Sequence, residues 1–170
     1  MNIRYVSSEQ DQLTNRILSD VAVRAAREGI RLAGTVQPVG RDTPQQKCEI
    51  VLNLLPDGPI RSISMDLGPG ATGCRLDAGA LEEAVLVVQD RLAGAQALVV
   101  NKFGKQEAAG RGLVEVIGRA CGAGLPVLVG VSPEWREAFL AFAGGTAQPL
   151  AADADRAMDW LRAACRAQVA

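Results

Sequence analysis

The sequence predicts a single three-layer α/β/α domain over residues 1–170, built on a mostly parallel, doubly wound sheet with an inserted β-hairpin. Three observations lead there. Segments of helical period alternate with β-rich segments along the chain, and each parallel crossover needs a helix to bring the chain back. The runs Ala97-Leu98-Val99-Val100 and Pro126 to Val131 are short and almost wholly apolar, as strands covered on both faces require. A chain of 170 residues, 48% hydrophobic and 22% charged, has the size and composition of one domain with a continuous core.

In chain order, a strand is expected at Ile3 to Ser7, a helix from about Gln10 to Glu28 and a strand from Ile30 to Gln37. The helix carries its apolar stripe on Leu13, Ile17, Val21 and Ala25, widened by Leu18 and Ala22, and Gly29 is placed to close it. Val39 to Gln46 reads as a loop. Cys48 to Leu55 and Ile60 to Asp66 form a hairpin about Pro56-Asp57-Gly58-Pro59, since Asp-Gly favours a tight turn. Asp77 offers an N-cap to a helix striped by Leu81, Val85, Val88 and Leu92 and ending near Gly94. After the Ala97 strand comes a helix from about Ala108 to Cys121, facing inward with Leu113, Val116, Ile117 and Ala120. A short helix over Pro133 to Phe142, a brief strand near Gln148 to Leu150 and a helix from Asp153 to about Arg166 complete the pattern. Trp135 and Phe139 stand four apart, a spacing that packs a helix against its core.

Composition narrows the chemistry. Eighteen Lys and Arg against nineteen Asp and Glu give no basic excess for gripping nucleic-acid phosphates, so no nucleic-acid partner is expected. No run reaches the roughly 18 apolar residues of a membrane span, and no signal-like stretch opens the chain, so a cytoplasmic location is expected. Histidine is absent, which removes Ser-His, Cys-His and His-metal chemistry and leaves carboxylates, lysines and backbone amides. Cys48, Cys74, Cys121 and Cys165 are scattered, without a CxxC pair, and are expected as buried thiols; no metal site is expected.

Ligands of open α/β sheets bind beyond the carboxyl ends of the strands. The loop Asn101-Lys102-Phe103-Gly104-Lys105-Gln106-Glu107-Ala108-Ala109-Gly110-Arg111-Gly112 combines three cations with three glycines, which let backbone N–H groups approach an anion. The same residues would also serve as a solvated connection. Asp66 to Asp77, with Gly68, Pro69, Gly70 and Gly73, demands a special backbone path; Arg75 is either an anion clamp or the partner of Asp66 or Asp77. The turn after the first strand, Ser7-Ser8-Glu9-Gln10-Asp11-Gln12-Leu13-Thr14, has neither the glycines nor the lysine of a Walker A phosphate loop. Ser8 with Asp11 reads there as a capping box, and Glu9 and Asp11 would repel a polyphosphate.

The runs Ile63-Ser64-Met65-Asp66-Leu67-Gly68-Pro69-Gly70 with Gly73 to Asp77, and Asn101 to Glu107 with Gly110-Arg111-Gly112-Leu113, resemble the marker segments of a bacterial domain family of unknown function. That family is described as nucleoside-triphosphatase-like and is often encoded near molybdate-transport genes. More distantly the layout resembles the P-loop nucleoside-triphosphatases related to the cancer-related nucleoside-triphosphatase. Gly104, Lys105 and Glu107 match the run after their Walker B strand, while Asn101 and Lys102 stand at its acidic positions. The resemblance implies a P-loop NTPase type of sheet with a degenerate P-loop.

Three functions fit these readings. The first is a non-hydrolysing protein that binds a small anion or a nucleotide through Asn101, Lys102, Gly104, Lys105, Glu107, Gly110, Arg111 and Gly112, with Gly68, Gly70, Arg75 and Asp77 alongside. By the resemblance, the anion would be molybdate or a molybdenum-cofactor intermediate. The second is a phosphate-ester hydrolase with Glu107 or Asp66 as general base and Lys105 as electrostatic stabiliser. The third is an interaction module, with Met158, Trp160, Leu161 and Cys165 as a homodimer face or as ordinary core.

Overall fold

The apolar runs of the sequence become the middle of a sheet. The computed structural model describes residues 1–10, 12–38, 50–68 and 75–169. Its strands are β1 (Ile3–Val6), β2 (Leu32–Val36), β3 (Val51–Leu55), β4 (Ile60–Ser62), β5 (Ala97–Phe103), β6 (Val127–Val131) and β7 (Gln148–Pro149). Its helices are α1 (Leu13–Arg27), α2 (Ala78–Arg91), α3 (Lys105–Ala108), α4 (Val114–Gly122), α5 (Arg136–Phe142) and α6 (Ala154–Val169), with short 3₁₀ turns at Leu92–Gly94 and Pro133–Trp135. Among the described residues the strand order is β4-β3-β2-β5-β6-β1-β7. Pairing is parallel from β2 to β7, and the β3-β4 hairpin adds two antiparallel strands at the β2 edge.

Successive side chains of a strand point to opposite faces, so each central strand feeds two cores. Leu98 and Val100 of β5, with Val127 and Val129 of β6, pack under Leu81, Val85 and Val88 of α2, Val116 and Ile117 of α4, and Phe139 of α5. Val99 and Leu128 on the other face meet Ile17, Leu18 and Val21 of α1 and Met158, Leu161 and Cys165 of α6. Burying each such side chain contributes on the order of 1.5–3 kcal/mol. Phe139 also stands edge-on to Tyr5 and Phe103, with ring centroids 5.4 and 5.2 Å away. The predicted stripe of α6 is therefore largely consumed by the core.

The elements follow the predicted order, and their ends differ for local reasons. Helix α1 begins at Leu13, three residues later than expected, because Gln12 takes a left-handed conformation at φ 57°. Gly29 ends it as expected, at φ 72°: Gly29 N–H donates to Ala26 O and Ile30 N–H to Ala25 O, a Schellman closure. The run expected as one strand to Asp66 leaves β3 after Ser62, and Ser64 instead pairs antiparallel with Leu76. The helix expected over Ala108 to Cys121 begins only at Val114, as α4, because Gly110 and Gly112 take positive φ; the short helix α3 precedes it over Lys105–Ala108. Cys165 is buried with its thiol 3.6 Å from Gln96 O, and burial raises the pKa of both Cys121 and Cys165, keeping them protonated. Cys48 and Cys74 lie outside the described residues.

Gly34 of β2 sits at φ 125°, and a Cβ there would overlap the carbonyl of Val99 on β5. Away from the sheet, Arg162 of α6 grips Glu28 at the end of α1 through two contacts of 2.7 Å and also reaches Asp159 at 2.9 Å. This pairing holds the Glu28 carboxyl below its ordinary pKa of 4.5. A carboxylate with a depressed folded pKa adds stability above its unfolded pKa and loses it as pH falls through the folded one.

Two outcomes are expected. Gly34→Ala lowers unfolding free energy by roughly 2–4 kcal/mol in urea titration, from backbone strain plus overpacking. Glu28→Gln flattens the acid side of the stability profile: measured from pH 6 downward, the wild type loses its advantage over the variant as pH drops below about 4.5.

Candidate functional site

A cleft of about 660 Å³ opens along the carboxyl ends of β2, β5, β6 and β1, where an open α/β sheet binds ligands. Its floor is the end of β5. Val100 pairs with Val129 and Phe103 with Val131, so Asn101 and Lys102 together oppose Gly130. Two residues against one make a β-bulge, which bends the strand and re-aims its side chains. A Cβ on Gly130 would collide with Asn101 O, so the glycine makes room for the bulge.

Asn101 is only 8% exposed, yet it lines the cleft. The wholly buried Thr35 hydroxyl, on neighbouring β2, accepts from Asn101 N–H at 3.5 Å and donates to Asn101 Oδ1 at 2.7 Å. The carboxamide is thereby pinned through its oxygen. Lys102 is exposed and folds along Gly104, while exposed Lys105 begins α3; both line the cleft.

Glu107 is a buried carboxylate whose oxygens both serve the backbone. Gly104 N–H donates to Oε2 at 3.1 Å and Leu113 N–H to Oε1 at 3.2 Å, so one side chain ties the start of α3 to the start of α4. Gly112 is the residue that lets this clip close, because a Cβ there would collide with Glu107 Oε1. Gly104 itself is extended, at φ −138°, and serves as the N-cap of α3.

The other predicted ligand residues have structural employment away from the described lining of the cleft. Gly110 closes α3 in a second Schellman motif, with Gly110 N–H donating to Glu107 O and Arg111 N–H to Gln106 O. Arg111 turns to Gln106 Oε1 at 3.0 Å. Asp66 accepts from Gly68 N–H at 2.9 Å in a local turn, and Asp77 caps α2 by accepting from Ala80 N–H at 3.0 Å. Arg75 is exposed; its carbonyl accepts from Met65 N–H at 2.7 Å, so this segment is a hairpin stem. Gly70 lies outside the described residues.

The turn after β1 lines the cleft with Ser8, Glu9, Gln10 and Gln12. Ser8 Oγ accepts from Gln10 N–H at 3.0 Å, and Gln12 at the N-cap of α1 makes no side-chain cap hydrogen bond. Asp11, the other half of the predicted capping box, lies outside the described residues. Arg136 reaches in from α5, donating to Ser7 Oγ at 3.2 Å and standing 4.0 Å from Glu9. Sequence reasoning missed Thr35, Gln37 and Arg136. The first two were legible only as strand residues, and Arg136 lies 129 positions from the serine it contacts.

If Glu107 is a clip, Glu107→Ala leaves the Gly104 and Leu113 amides unpaired and destabilises the fold by roughly 2–4 kcal/mol. Amide hydrogen exchange should show faster exchange at those two positions than elsewhere in the sheet edge.

The comparisons with known proteins agree with this architecture. The structure of THEP1 from the hyperthermophile Aquifex aeolicus superposes with a TM-score of 0.63 over 91% of each chain, at 12% identity. A human cancer-related nucleoside triphosphatase superposes with a TM-score of 0.64 over 99% of this chain and 97% of its own, at 9% identity. At these identities the likeness is one of fold, a mostly parallel α/β sheet covered by helices. In sequence, the chain is 37% identical over 156 residues to the molybdenum import ATP-binding protein ModC 2 of Bradyrhizobium diazoefficiens. That match covers 90% of this chain but only 17% of the relative. A model of the family described as a protein of unknown function, DUF2478, matches residues 3–160, and the chain belongs to that family.

Proposed function

We propose that this protein is a non-hydrolysing binding module for a nucleotide or other small anion, accessory to molybdenum uptake. The observation that carries the reading is the use made of the carboxylates around the cleft. A hydrolase of this layout needs a carboxylate at the β5 end to hold magnesium or orient water, and a lysine on glycine-rich backbone around the phosphates. The β5 end offers the amide of Asn101 instead, and the nearest buried carboxylate, Glu107, has both oxygens on backbone amides. Asp66, the other proposed base, is held in its own turn by Gly68. Ser7 to Thr14 contains no glycine and no lysine, which supports a degenerate phosphate loop.

Lys102 and Lys105 supply positive charge at the cleft, and Gly104 brings the backbone of α3 close to it. The link to molybdenum rests on the name of the ModC 2 relative, of which this chain spans a sixth. A homologous segment inside a longer ATP-binding protein fits a module that senses or binds rather than one that supplies the energy.

Thermal-shift screening against ATP, GTP, AMP, GMP, molybdate, tungstate and phosphate tests the reading. At 100 times its dissociation constant, a true ligand stabilises the fold by about 2.7 kcal/mol. No shift with any of them removes the binding proposal. Steady phosphate release from ATP or GTP that disappears in Lys102→Ala removes the non-hydrolysing part.

A further inference from the structure

The polar lining of the cleft is unusual in kind. Gln10, Gln12, Asn15, Gln37, Asn101 and Gln106 place six carboxamides around one space. Charge is sparse beside them: among the described residues the lining has two ammonium groups, Lys102 and Lys105, against the carboxylates of Glu9, Glu107 and Glu134. With Arg136 beside Glu9 at the edge of the cleft, positive and negative groups balance, so a triphosphate would meet no net positive charge here. Carboxamides present a donor and an acceptor side by side, the pattern that matches the edge of a nucleobase.

Polarity also changes along the cleft. At the β3 side it is walled by Leu52, Ile63, Leu81 and Leu113, and at the β1 side by Ser8, Glu9, Gln10 and Gln12 and by the Ser132 to Glu134 turn. A bare tetrahedral oxyanion would leave that aliphatic wall wet. A volume of about 660 Å³ falls within the roughly 300–1,000 Å³ of small-molecule sites and far exceeds one oxyanion.

Asn101 stands between the two halves. Its Oδ1 is held by Thr35, and its Nδ2, among the described residues, has no hydrogen-bond partner although the side chain is more than nine-tenths buried. The nitrogen itself is open to the cleft, and a donor held there in one orientation selects a ligand that accepts from it. Gln37, two residues beyond Thr35 and just past the end of β2, lines the same stretch.

We infer that the cleft takes a nucleoside carrying at most one phosphate, its heterocycle against the Leu52, Ile63, Leu81 and Leu113 wall and its acceptor edge on Asn101. This deepens the binding reading above and rests on it. Thr35 is a positioning residue, acting only through Asn101. The lysines take the single phosphate.

Isothermal titration of the full chain with AMP, GMP, CMP and UMP, their nucleosides, ATP, phosphate and molybdate tests it. At least one monophosphate is expected to bind at least tenfold more tightly than ATP and than either inorganic anion. Asn101→Asp keeps the shape and removes the donor, and should weaken that monophosphate tenfold or more. Thr35→Val should weaken it by a smaller factor, and Lys102→Ala should weaken the monophosphate while sparing the nucleoside. Urea midpoints of the three variants show that each is folded. Tight binding of molybdate or phosphate alone, or of ATP above every monophosphate, overturns this inference while leaving a binding module. The same holds if folded Asn101→Asp binds like wild type. No binding by any compound overturns both.

Discussion

β5 runs through the centre of the sheet with Ala97 to Val100 wholly buried, and both neighbouring strands approach it at points where no side chain fits. On one side Gly34 lies against the Val99 carbonyl; on the other Gly130 lies against the Asn101 carbonyl. These two close approaches fix how β2 and β6 sit on β5, and with them the positions of the helices that cover both faces. The second also makes the bulge possible, since Asn101 and Lys102 need the space that a side chain at 130 would fill. Packing of the sheet and geometry of the cleft floor thus depend on the same contact.

From that floor outward, the polar groups divide into those satisfied inside the protein and those left facing the cleft. Glu107 spends both oxygens on the α3–α4 connection, and Thr35 spends its hydroxyl on Asn101. What remains toward the cleft is mainly amide, with the lysines Lys102 and Lys105 and the carboxylates of Glu9 and Glu134. Buried polar groups are costly unless paired, so this division is physical and separates the frame of the site from its reading surface. The glycines follow the same logic: Gly110 ends a helix and Gly112 clears a carboxylate, so each has a structural role of its own.

This chain shares its fold with THEP1 and with the human cancer-related nucleoside triphosphatase. The likeness to THEP1 and to the human enzyme is high in superposition and low in sequence, as expected when a packed α/β frame persists while its loops diverge. In the segment around Asn101 to Leu113, Glu107 serves the backbone through Gly104 and Leu113.

The sequence by itself determined the order of strands and helices, because periodicity, apolar runs and Gly29 are local signals; the inward faces of α1, α2 and α4 followed from the same spacing. It also pointed to the ends of β1, β5 and β6 as borders of the cleft, though not to that of β2, and it named Asn101, Lys102, Gly104, Lys105 and Glu107, all of which line it. What it left open was the role of each. Glu107 as base or clip, Gly112 as anion ligand or clearance, and Thr35 as strand filler or anchor depend on partners between 5 and 66 positions away. Only the tertiary structure, by bringing β2 beside β5 and Leu113 back over Glu107, decided them, since a hydrogen bond depends on distance in space.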